Sequence, residues 1–348
     1  MRVLVATIVH RPEDARIRHR QIPALLEAGI DVTYVAPDGD TSPGHDRLER
    51  IVVPGARGRD RLRALRAVRP VLREASARAD LTVLHDPELL LVAGAITGPV
   101  LWDVHEDLAA QIGDKSWIPG PLRGIGSIGA RMLERRGRSL PRTIAEAGYR
   151  DRHPDAVLVP NSVRVPDEVR PPGTTRLVYL GRVSSGRGAD VLVEVARRMP
   201  DDLVLDVIGH ADPGVELDAP RLSSWGFVAN DVALDAVEGA LAGLSLLQDL
   251  PNYRHSLPTK ILEYMARGVP VITTPLPSAV EVVETHDCGI VVGFDDARAV
   301  ADAAGRLRDD PELRARLAAN GRAAVAAHHN WAIDGARMVD YYRELAGG

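Results

Sequence analysis

Cysteine is almost absent from this 348-residue chain, because Cys288 is the only one. A single thiol cannot close an internal disulfide, and it cannot supply the thiolate cluster of a structural zinc or iron–sulfur site. A reducing compartment fits this composition best. The sequence therefore predicts a cytoplasmic protein.

Long apolar runs and an excess of basic charge are also missing. No segment approaches the roughly 20 apolar residues of a membrane-spanning helix, and the amino-terminal MRVLVATIVH lacks the apolar stretch and cleavage site of a signal peptide. The formal net charge is -5 and the sequence pI is about 6.1. Proteins that bind nucleic acid usually carry a strongly basic face, so we expect no nucleic-acid partner.

Aromatic residues make up only 4% of the chain, so aliphatic side chains and alanine must build its cores. The length suits two domains of similar size. Short β-branched runs alternate with longer helical patterns from the first residue onward, an arrangement typical of parallel sheets with helices on both faces. We predict an α/β protein with two Rossmann-like, doubly wound parallel-sheet domains.

The pattern places strands and helices in both halves of the chain. In the first half it predicts strands over 2–7, 31–35, 80–84, 99–104, 141–145 and 155–159, and helices over 15–28, 60–77 and 119–137. In the second half it predicts strands over 176–181, 203–208, 243–247, 269–274 and 289–292.

The proline-rich, polar stretch 165–175 has the composition of an exposed linker. The predicted domains are therefore 1–165 and 166–330, with 331–348 as a final helix that packs back on the first domain. Ligands bind beyond the carboxyl ends of parallel strands, so two such sheets facing each other would enclose a cleft.

A first cluster of candidate functional residues lies in LVYLGRVSSGRGADVLVEVARRMP, residues 177–200. A strand ends at Gly181, Arg182 follows, and Gly186-Arg187-Gly188 opens a helix. Glycines permit close backbone approach, a helix amino terminus favours anions, and two guanidiniums add charge, so the segment could cradle a diphosphate without a metal. An ordinary strand-to-helix turn with solvated arginines explains the same pattern.

A second cluster lies in NYRHSLPTKILEYMARGVPVITTPLPSAVEVVE, residues 252–284. Pro258 can occupy a first helical turn, with Thr259, Lys260 and Glu263 on that turn or the next. A carboxylate there can accept hydrogen bonds from a ribose diol, and Lys260 can meet a phosphate. Spacing alone favours a simpler interpretation, in which Lys260 and Glu263 are surface charges that form a weak local pair.

The stretch SLPTKILEYMARGVPVITTPLPSAVEVVE, together with the upstream GRVSSGRGADVL, resembles the donor half of glycosyltransferase family four. The first half is similar to that family through HRPEDARIRHRQIPALLEAGIDVTYVAP, LHDPELL, LWDVHEDL and VPNSV. The family consists largely of retaining enzymes with the GT-B fold. The resemblance implies transfer of a sugar from a nucleotide-sugar substrate, a UDP-sugar by default, to an unidentified hydroxyl acceptor, with no cofactor.

The resemblance also implies roles on the donor side. Arg182 and Arg187 would bind the donor phosphates, and His105 would face the transferred sugar; a histidine satisfied by its carboxylate neighbours is the alternative for His105. Glu263 would hold the ribose. The implied donor-binding residues are Gly181, Gly186, Gly188, His255, Ser256, Leu257, Pro258, Thr259, Lys260 and Glu263.

His255 departs from the family pattern, because the first glutamate of the E-x7-E motif belongs at that position. Either the imidazole replaces the carboxylate as a hydrogen-bonding group, or the donor sugar is seated differently. This departure motivates an alternative, a catalytically silent accessory protein with the same fold. A nucleotide-sugar epimerase and a glycoside phosphorylase can also share the two-domain architecture.

The first half supplies the expected acceptor side. Asp86 before Pro87 could instead cap a helix, and Asp14 with Arg16 could form a simple ion pair within its loop. The expected acceptor-side residues are His10, Asp14, Arg16, His85, Asp86, Glu88 and Glu106.

HDPE and DVHED contain the residue types of a metal site, but the family neutralises phosphate charge with cations and helix ends, so no metal is predicted. The arginine-rich run 56–78 could lie on an anionic membrane at its inner face. The helical spacing of Leu62, Leu65, Val68 and Leu72 fits a solvated helix packed on the sheet equally well. The oligomeric state stays open.

Overall fold

The computed structural model describes residues 1–39, 44–56, 58–104, 133, 135–251, 253–254 and 256–347. Two compact units divide the chain. The first unit comprises Met1–Asn161 and Ala332–Gly348, and the second comprises Ser162–Trp331. The proline-rich stretch 165–175 therefore lies inside the second unit, and the chain passes between the units at Asn161–Ser162 and at Trp331–Ala332.

The first unit contains a seven-stranded sheet in which every neighbouring pair is parallel, in the order β3-β2-β1-β4-β5-β6-β7. Its strands are β1 (Arg2–Ala6), β2 (Asp31–Ala36), β3 (Leu48–Val52), β4 (Leu81–Leu84), β5 (Val100–Val104), β6 (Arg142–Ile144) and β7 (Val157–Leu158). The described α-helices from the first half are α1 (Ile22–Glu27), which follows a π-helical turn at Ile17–Gln21, and α2 (Arg61–Ser76).

The second unit contains a six-stranded parallel sheet in the order β10-β9-β8-β11-β12-β13. Its strands are β8 (Arg176–Leu180), β9 (Val204–Ile208), β10 (Leu222–Gly226), β11 (Ala242–Ser245), β12 (Val271–Thr273) and β13 (Gly289–Val291). Its helices are α3 (Ala189–Arg198), α4 (Asn230–Val237), α5 (Thr259–Ala266), α6 (Pro277–Thr285), α7 (Ala297–Asp309) and α8 (Pro311–His328), and α9 (Trp331–Gly347) follows them.

Both sheets reverse their strand order beside their first strand, which is the doubly wound topology. In the first unit the reversal lies between β1 and β4, and in the second it lies between β8 and β11. The predicted α/β class with two such sheets is confirmed. Ligands of open parallel sheets bind at the carboxyl ends of the strands beside such a reversal, so the loops after these four strands are the places to look for chemistry.

Two strands were not predicted, β3 and β10, and each lies at the edge of its sheet. Their sequences, LERIV and LSSWG, are partly exposed along most of their length. An edge strand is covered less completely than a central one, so it lacks the continuous apolar run by which a buried parallel strand is recognised. The helix predicted over 119–137 lies mostly outside the described residues.

The cores are aliphatic, as the low aromatic content requires. The buried apolar side chains on the two sheets are mainly valine, leucine, isoleucine and alanine. Among the described residues, no helix combines the length and apolar composition that crossing a membrane requires.

Candidate donor and acceptor sites

The loop after β8 brings glycines against neighbouring backbone at the strand-order reversal of the second unit. Gly188 has a φ of 84°, and a Cβ there would lie 2.4 Å from the carbonyl oxygen of Leu246, just beyond β11. A Cβ on Gly209, after β9, would lie 2.1 Å from the carbonyl oxygen of Gly181. Gly186 is closed in by Leu250. The loops after β8, β9 and β11 can approach this closely only because glycine, which has no Cβ, stands at these positions.

Arg182 and Arg187 both lie on this loop. The Nε and Nη2 atoms of Arg182 each donate a 2.6 Å hydrogen bond to the carboxylate of Asp212, and its side chain is 63% exposed. The guanidinium carbon of Arg187 lies 5.9 Å from the ring centroid of Tyr253. Arg182 is therefore solvent-exposed but oriented by an ion pair, a contact that the interpretation of solvated arginines does not include.

Lys260 on α5 has a buried amino group at the same place. Its Nζ lies 3.5 Å from the ring centroid of Tyr179, a residue of β8, and no described residue accepts a hydrogen bond from it. Burial, and next the charge of Arg187, hold the pKa of Lys260 well below its ordinary value. An ammonium group held this way gains more from a bound anion than a solvated lysine does.

Glu263 lies one turn further along α5 and is also buried. Its Oε2 accepts a 2.8 Å hydrogen bond from Nη1 of Arg267, which is buried as well. The interpretation of Lys260 and Glu263 as a surface pair is therefore wrong, because neither is at the surface and the carboxylate pairs with Arg267.

The segment before α5 differs slightly from the sequence prediction. Pro258 lies outside the first turn, as the residue before the helix, and Thr259 is the first helical residue. Thr259, Ser256 and Leu257 are half-buried, and Leu257 packs against the core of the second unit. His255 lies outside the described residues.

In the first unit, Asp103 at the end of β5 is the centre of a buried polar network. Nε and Nη2 of Arg16 donate to its two carboxylate oxygens at 2.9 Å, and Nε2 of Gln21 donates at 2.9 Å. The hydroxyl of Thr143 donates at 2.6 Å, and Nδ1 of His85 lies 3.2 Å from Oδ2. The predicted ion pair between Arg16 and Asp14 is wrong, because Arg16 pairs with Asp103.

The π-helical turn explains how Arg16 and Gln21 reach one carboxylate. The amide of Gln21 donates to the carbonyl of Arg16, five residues earlier. Residues five apart point to different sides of an α-helix, whereas the wider π-turn brings them nearer one side. Asp14 serves the backbone instead, because its Oδ1 accepts from the amides of Arg16 and Ile17 at 2.9 and 3.0 Å.

Burial alone would lower the pKa of Arg16, but the charge and hydrogen bonds of Asp103 outweigh it, so the pKa is raised. The last helix contributes Tyr342, which is buried beside this pair. Burial, and next the charge of Asp103, raise the pKa of Tyr342 well above its ordinary value. Arg16 therefore stays charged beside Asp103, and Tyr342 stays neutral.

Asp86 after β4 binds the loop after β1. Its carboxylate accepts 3.1 Å hydrogen bonds from the hydroxyl of Thr7 and the amide of Val9, and it accepts from the amide of Ile8. Nε2 of His10 lies 3.3 Å from it. The helix-cap interpretation of Asp86 is wrong, because its side chain makes no cap bond.

The remaining acceptor-side candidates are dispersed. Glu88 forms an ion pair with Arg61 of α2. His10 also approaches Asp14, with 3.7 Å between Nδ1 and Oδ2. His105 and Glu106 lie outside the described residues. Within the described ranges, no group of three or more histidine, cysteine, aspartate or glutamate residues is placed to hold a metal ion.

Sequence reasoning missed Asp103, Gln21, Asn161 and Asp212. Asp103 was visible in DVHED only as a neighbour of His105, although an aspartate that closes an apolar strand is a signal for a buried polar partner. Asn161, in VPNSV, accepts a 2.9 Å hydrogen bond from Nη1 of Arg16. Nothing in the sequence around Asp212 marks it.

The two sheets give the chain the GT-B fold, because solved structures of that architecture match nearly the whole chain. Sucrose-phosphate synthase from Thermosynechococcus elongatus is 18% identical with a TM-score of 0.75, and the match covers 99% of this chain and 98% of that one. Anabaena HepE, solved in complex with UDP-glucose, is 13% identical with a TM-score of 0.73, covering 99% and 100%.

Residues 174–310 match the family "Glycosyl transferases group 1". The matched segment contains Arg182, Arg187, Lys260 and Glu263, and it agrees with the resemblance to glycosyltransferase family four that the motifs predict.

Curated relatives agree with this assignment. The alpha-D-kanosaminyltransferase of Streptomyces kanamyceticus is 29% identical over 49% of this chain and 45% of that enzyme. The phosphatidyl-myo-inositol mannosyltransferase of Mycobacterium leprae is 26% identical over 97% of this chain and 92% of that enzyme. The chain spans about half the length of most of the curated relatives that it matches, which include D-inositol 3-phosphate glycosyltransferases.

Proposed function

We propose that the protein transfers a sugar from a nucleotide-sugar donor, with UDP as the default nucleotide, to a hydroxyl acceptor with retention of anomeric configuration. The observation that carries the proposal is Lys260, a buried ammonium with no described hydrogen-bond acceptor. It lies beside Arg187 and the loop that carries Arg182. A diphosphate would complete this cluster of three cations.

The proposed chemistry follows from the charge of the leaving group. As the bond between the anomeric carbon and the phosphate oxygen breaks, negative charge develops on the diphosphate. Preorganised cations and helix amino termini stabilise such charge more than they stabilise the bound substrate, which is the requirement for catalysis. Arg182, Arg187 and Lys260 supply this stabilisation without a metal. The acceptor hydroxyl attacks from the face that the diphosphate leaves and transfers its proton to the departing diphosphate oxygen, and no enzyme nucleophile is assigned.

The residues that we propose to contact the acceptor are fewer than those that the sequence predicts. Arg16 and Asp86 are buried and already bonded to Asp103 and to the loop after β1, so we infer that they hold this loop in shape. His10 and Asp14 are partly exposed on that loop. They are the side chains we assign to contact with the acceptor, while Glu263 holds the donor ribose and His105 faces the transferred sugar.

The relatives support a sugar-transfer reaction but not one substrate. HepE was solved with UDP-glucose, which supports UDP as the first nucleotide to test. The kanosaminyltransferase and the mannosyltransferase differ in the sugar their names state. The alternative of a silent accessory protein makes a different prediction, because a transferase slowly hydrolyses its nucleotide sugar without acceptor and a silent protein does not.

The melting temperature of the purified protein with UDP, GDP, dTDP or ADP tests the donor site. One diphosphate should raise it selectively, and a concentration of 100 times the Kd should stabilise the folded protein by about 2.7 kcal/mol. The shift should be the same with magnesium and with chelator, because protein cations neutralise the phosphates. No shift with any of the four at millimolar concentration would contradict the donor-site assignment.

We further propose that α2 places the protein on an anionic membrane. Residues 56–78 contain eight arginines and two acidic residues, in a chain with a net charge of -5. One face of α2 exposes Leu62 together with Arg63, Arg66, Arg69 and Arg73, and these four arginines form no ion pair within the described residues. The opposite face of α2 is buried on the sheet, as the interpretation of a solvated helix packed on the sheet predicts. The exposed face with the four arginines can still contact a membrane.

Co-sedimentation with phosphatidylglycerol vesicles tests this proposal. Each arginine near an anionic surface contributes about 1 kcal/mol, so replacing Arg63, Arg66, Arg69 and Arg73 by glutamine should abolish binding. Replacing Arg298 and Arg306, which are exposed on α7, removes two positive charges away from α2 and should have little effect, whereas replacing only Arg63 and Arg66 should weaken binding. Equal binding of the wild type to phosphatidylcholine vesicles would contradict an electrostatic contact.

A further inference from the structure

Arg182 leaves the end of β8 with its side chain largely in solvent, where a long side chain samples many rotamers. Here it has one orientation, because two of its nitrogens bind the carboxylate of Asp212 at 2.6 Å. An exposed ion pair contributes little to folding stability. The main effect of the ion pair with Asp212 is therefore to fix the direction in which the guanidinium of Arg182 points.

Asp212 is itself fixed to the loop that carries Arg182. Its amide donates a 2.9 Å hydrogen bond to the carbonyl of Val183, and the amide of Val183 donates a 2.8 Å bond to the carbonyl of His210. These bonds form an isolated parallel bridge between Val183 and Ala211. The residues on either side of Asp212 are thus restrained, by this bridge before it and by Pro213 after it.

The pairing leaves part of Arg182 available. A guanidinium presents five N–H donors in a planar fork. Asp212 occupies the edge formed by Nε and Nη2, and no described residue accepts from Nη1. The adjacent edge, formed by Nη1 and the second hydrogen of Nη2, can bind a phosphate through two hydrogen bonds without breaking the ion pair.

The surroundings keep Asp212 ionised. The hydrogen bonds from Arg182 lower the pKa of this carboxyl and outweigh the opposing effect of burial, and the charge of Arg182, followed by His210 and Arg187, acts in the same direction as the hydrogen bonds. A neutral aspartic acid would lose the two-oxygen acceptor geometry on which the orientation of Arg182 depends.

We propose that Asp212 is a positioning residue that holds Arg182 by the edge formed by Nε and Nη2 and leaves the adjacent edge, formed by Nη1 and Nη2, to bind the donor diphosphate. The inference rests on the proposed function, because it assigns a second residue to the same phosphate site. Asp212 itself touches no phosphate. In its absence, Arg182 would have to be ordered by the ligand during binding.

The test measures binding of inorganic pyrophosphate and UDP by calorimetry at high ionic strength, where the direct effect of removing one negative charge is screened. Asp212→Asn keeps the size of the side chain but offers only one acceptor oxygen. The cost of ordering one rotamer-rich side chain corresponds to about a five-fold weaker Kd. Asp212→Glu keeps a carboxylate and should bind more tightly than Asp212→Asn.

The second arm separates positioning from a general structural effect. In an Arg182→Ala background, Asp212→Asn should weaken binding no further, and the melting temperature of ligand-free Asp212→Asn should equal that of the wild type. Asp249→Asn is the matched control, because it removes a similar exposed two-bond pair with Arg254. Its Kd should be unchanged.

The outcomes distinguish this inference from the proposed function. If the wild type binds pyrophosphate or UDP and Asp212→Asn binds equally or more tightly, the positioning role is wrong while the donor site stands. If Asp212→Asn weakens binding further in the Arg182→Ala background, the positioning role is wrong as well. If the wild type binds neither pyrophosphate nor any of UDP, GDP, dTDP and ADP, the donor site itself is wrong.

Discussion

Replacing Lys260 with methionine should weaken nucleoside-diphosphate binding at least about tenfold, because a hydrogen bond to a charged group contributes about 1.5–3 kcal/mol. The same change should stabilise the ligand-free protein. Lys260 is buried over the ring of Tyr179 without a described hydrogen-bond acceptor, and replacement of buried paired charges by apolar side chains of similar volume is often neutral or stabilises by about 1–4 kcal/mol. Methionine is unbranched and fills the same space.

The stability gain should depend on pH. The pKa of Lys260 in the folded protein lies well below the ordinary value of 10.5. Between these two values the unfolded chain binds more protons than the folded one, so the contribution of Lys260 to stability rises with pH. The advantage of Lys260→Met should therefore be largest below the depressed pKa and should vanish above the ordinary one.

Denaturant unfolding at several pH values, together with titration of UDP, measures both effects on the same variant. Arg254→Met is the matched control, because Arg254 is an exposed cation shortly before α5 and pairs with Asp249. Arg254→Met should change neither the affinity for UDP nor the free energy of unfolding appreciably. If the Lys260→Met protein binds UDP normally, Lys260 does not contact the phosphates. If it is destabilised at neutral pH, the burial of Lys260 does not cost stability.

Replacing Asp103 with alanine should have the largest effect on stability, a loss of about 3–5 kcal/mol, because it leaves a buried charge without its partner. Arg16 is 5% exposed and donates two hydrogen bonds to this carboxylate. Gln21 and Thr143 would lose an acceptor as well. Urea unfolding followed by tryptophan fluorescence is the measurement, and Trp102, next to Asp103, reports on the first unit.

Two further variants make this result interpretable even if Asp103→Ala does not fold. Thr143→Ala removes one hydrogen bond to Asp103 and should cost about 1 kcal/mol. Asp340→Ala removes an exposed carboxylate that pairs with Arg343 on α9, and it should change stability by less than about 0.5 kcal/mol. Equal unfolding midpoints for Asp103→Ala and Asp340→Ala would show that the buried network contributes nothing to stability.

Much of the fold follows directly from the sequence. Central strands such as β1 and β8 are short β-branched or aliphatic runs, and they are recognisable because both faces of a parallel sheet are buried. β3 and β10 escape the same reasoning, since an edge strand with LERIV or LSSWG has no such pattern. The π-helical turn before α1 was likewise invisible, because its apolar spacing is close to that of an α-helix.

The candidate site, like the fold, can be predicted from the sequence only in part. Arg182, Arg187 and Lys260 were identified from GRVSSGRG and SLPTK, because a glycine-rich turn and a helix amino terminus restrict which side chains lie near them. Their physical states were not identified. The burial of Lys260 and the ion pair between Glu263 and Arg267 depend on what packs around α5, and local spacing had suggested surface charges.

The α/β class, the family resemblance and the positively charged residues at the carboxyl end of β8 can be predicted from the sequence alone, since each is encoded in a contiguous segment. The carboxylates that pair with Arg182 and Arg16 can be assigned only from the three-dimensional fold. Asp212 lies 30 residues from Arg182, and Asp103 lies 87 residues from Arg16. Such pairs form because parallel strands distant in sequence end at the same edge of a sheet, and no local pattern of residue types records that proximity.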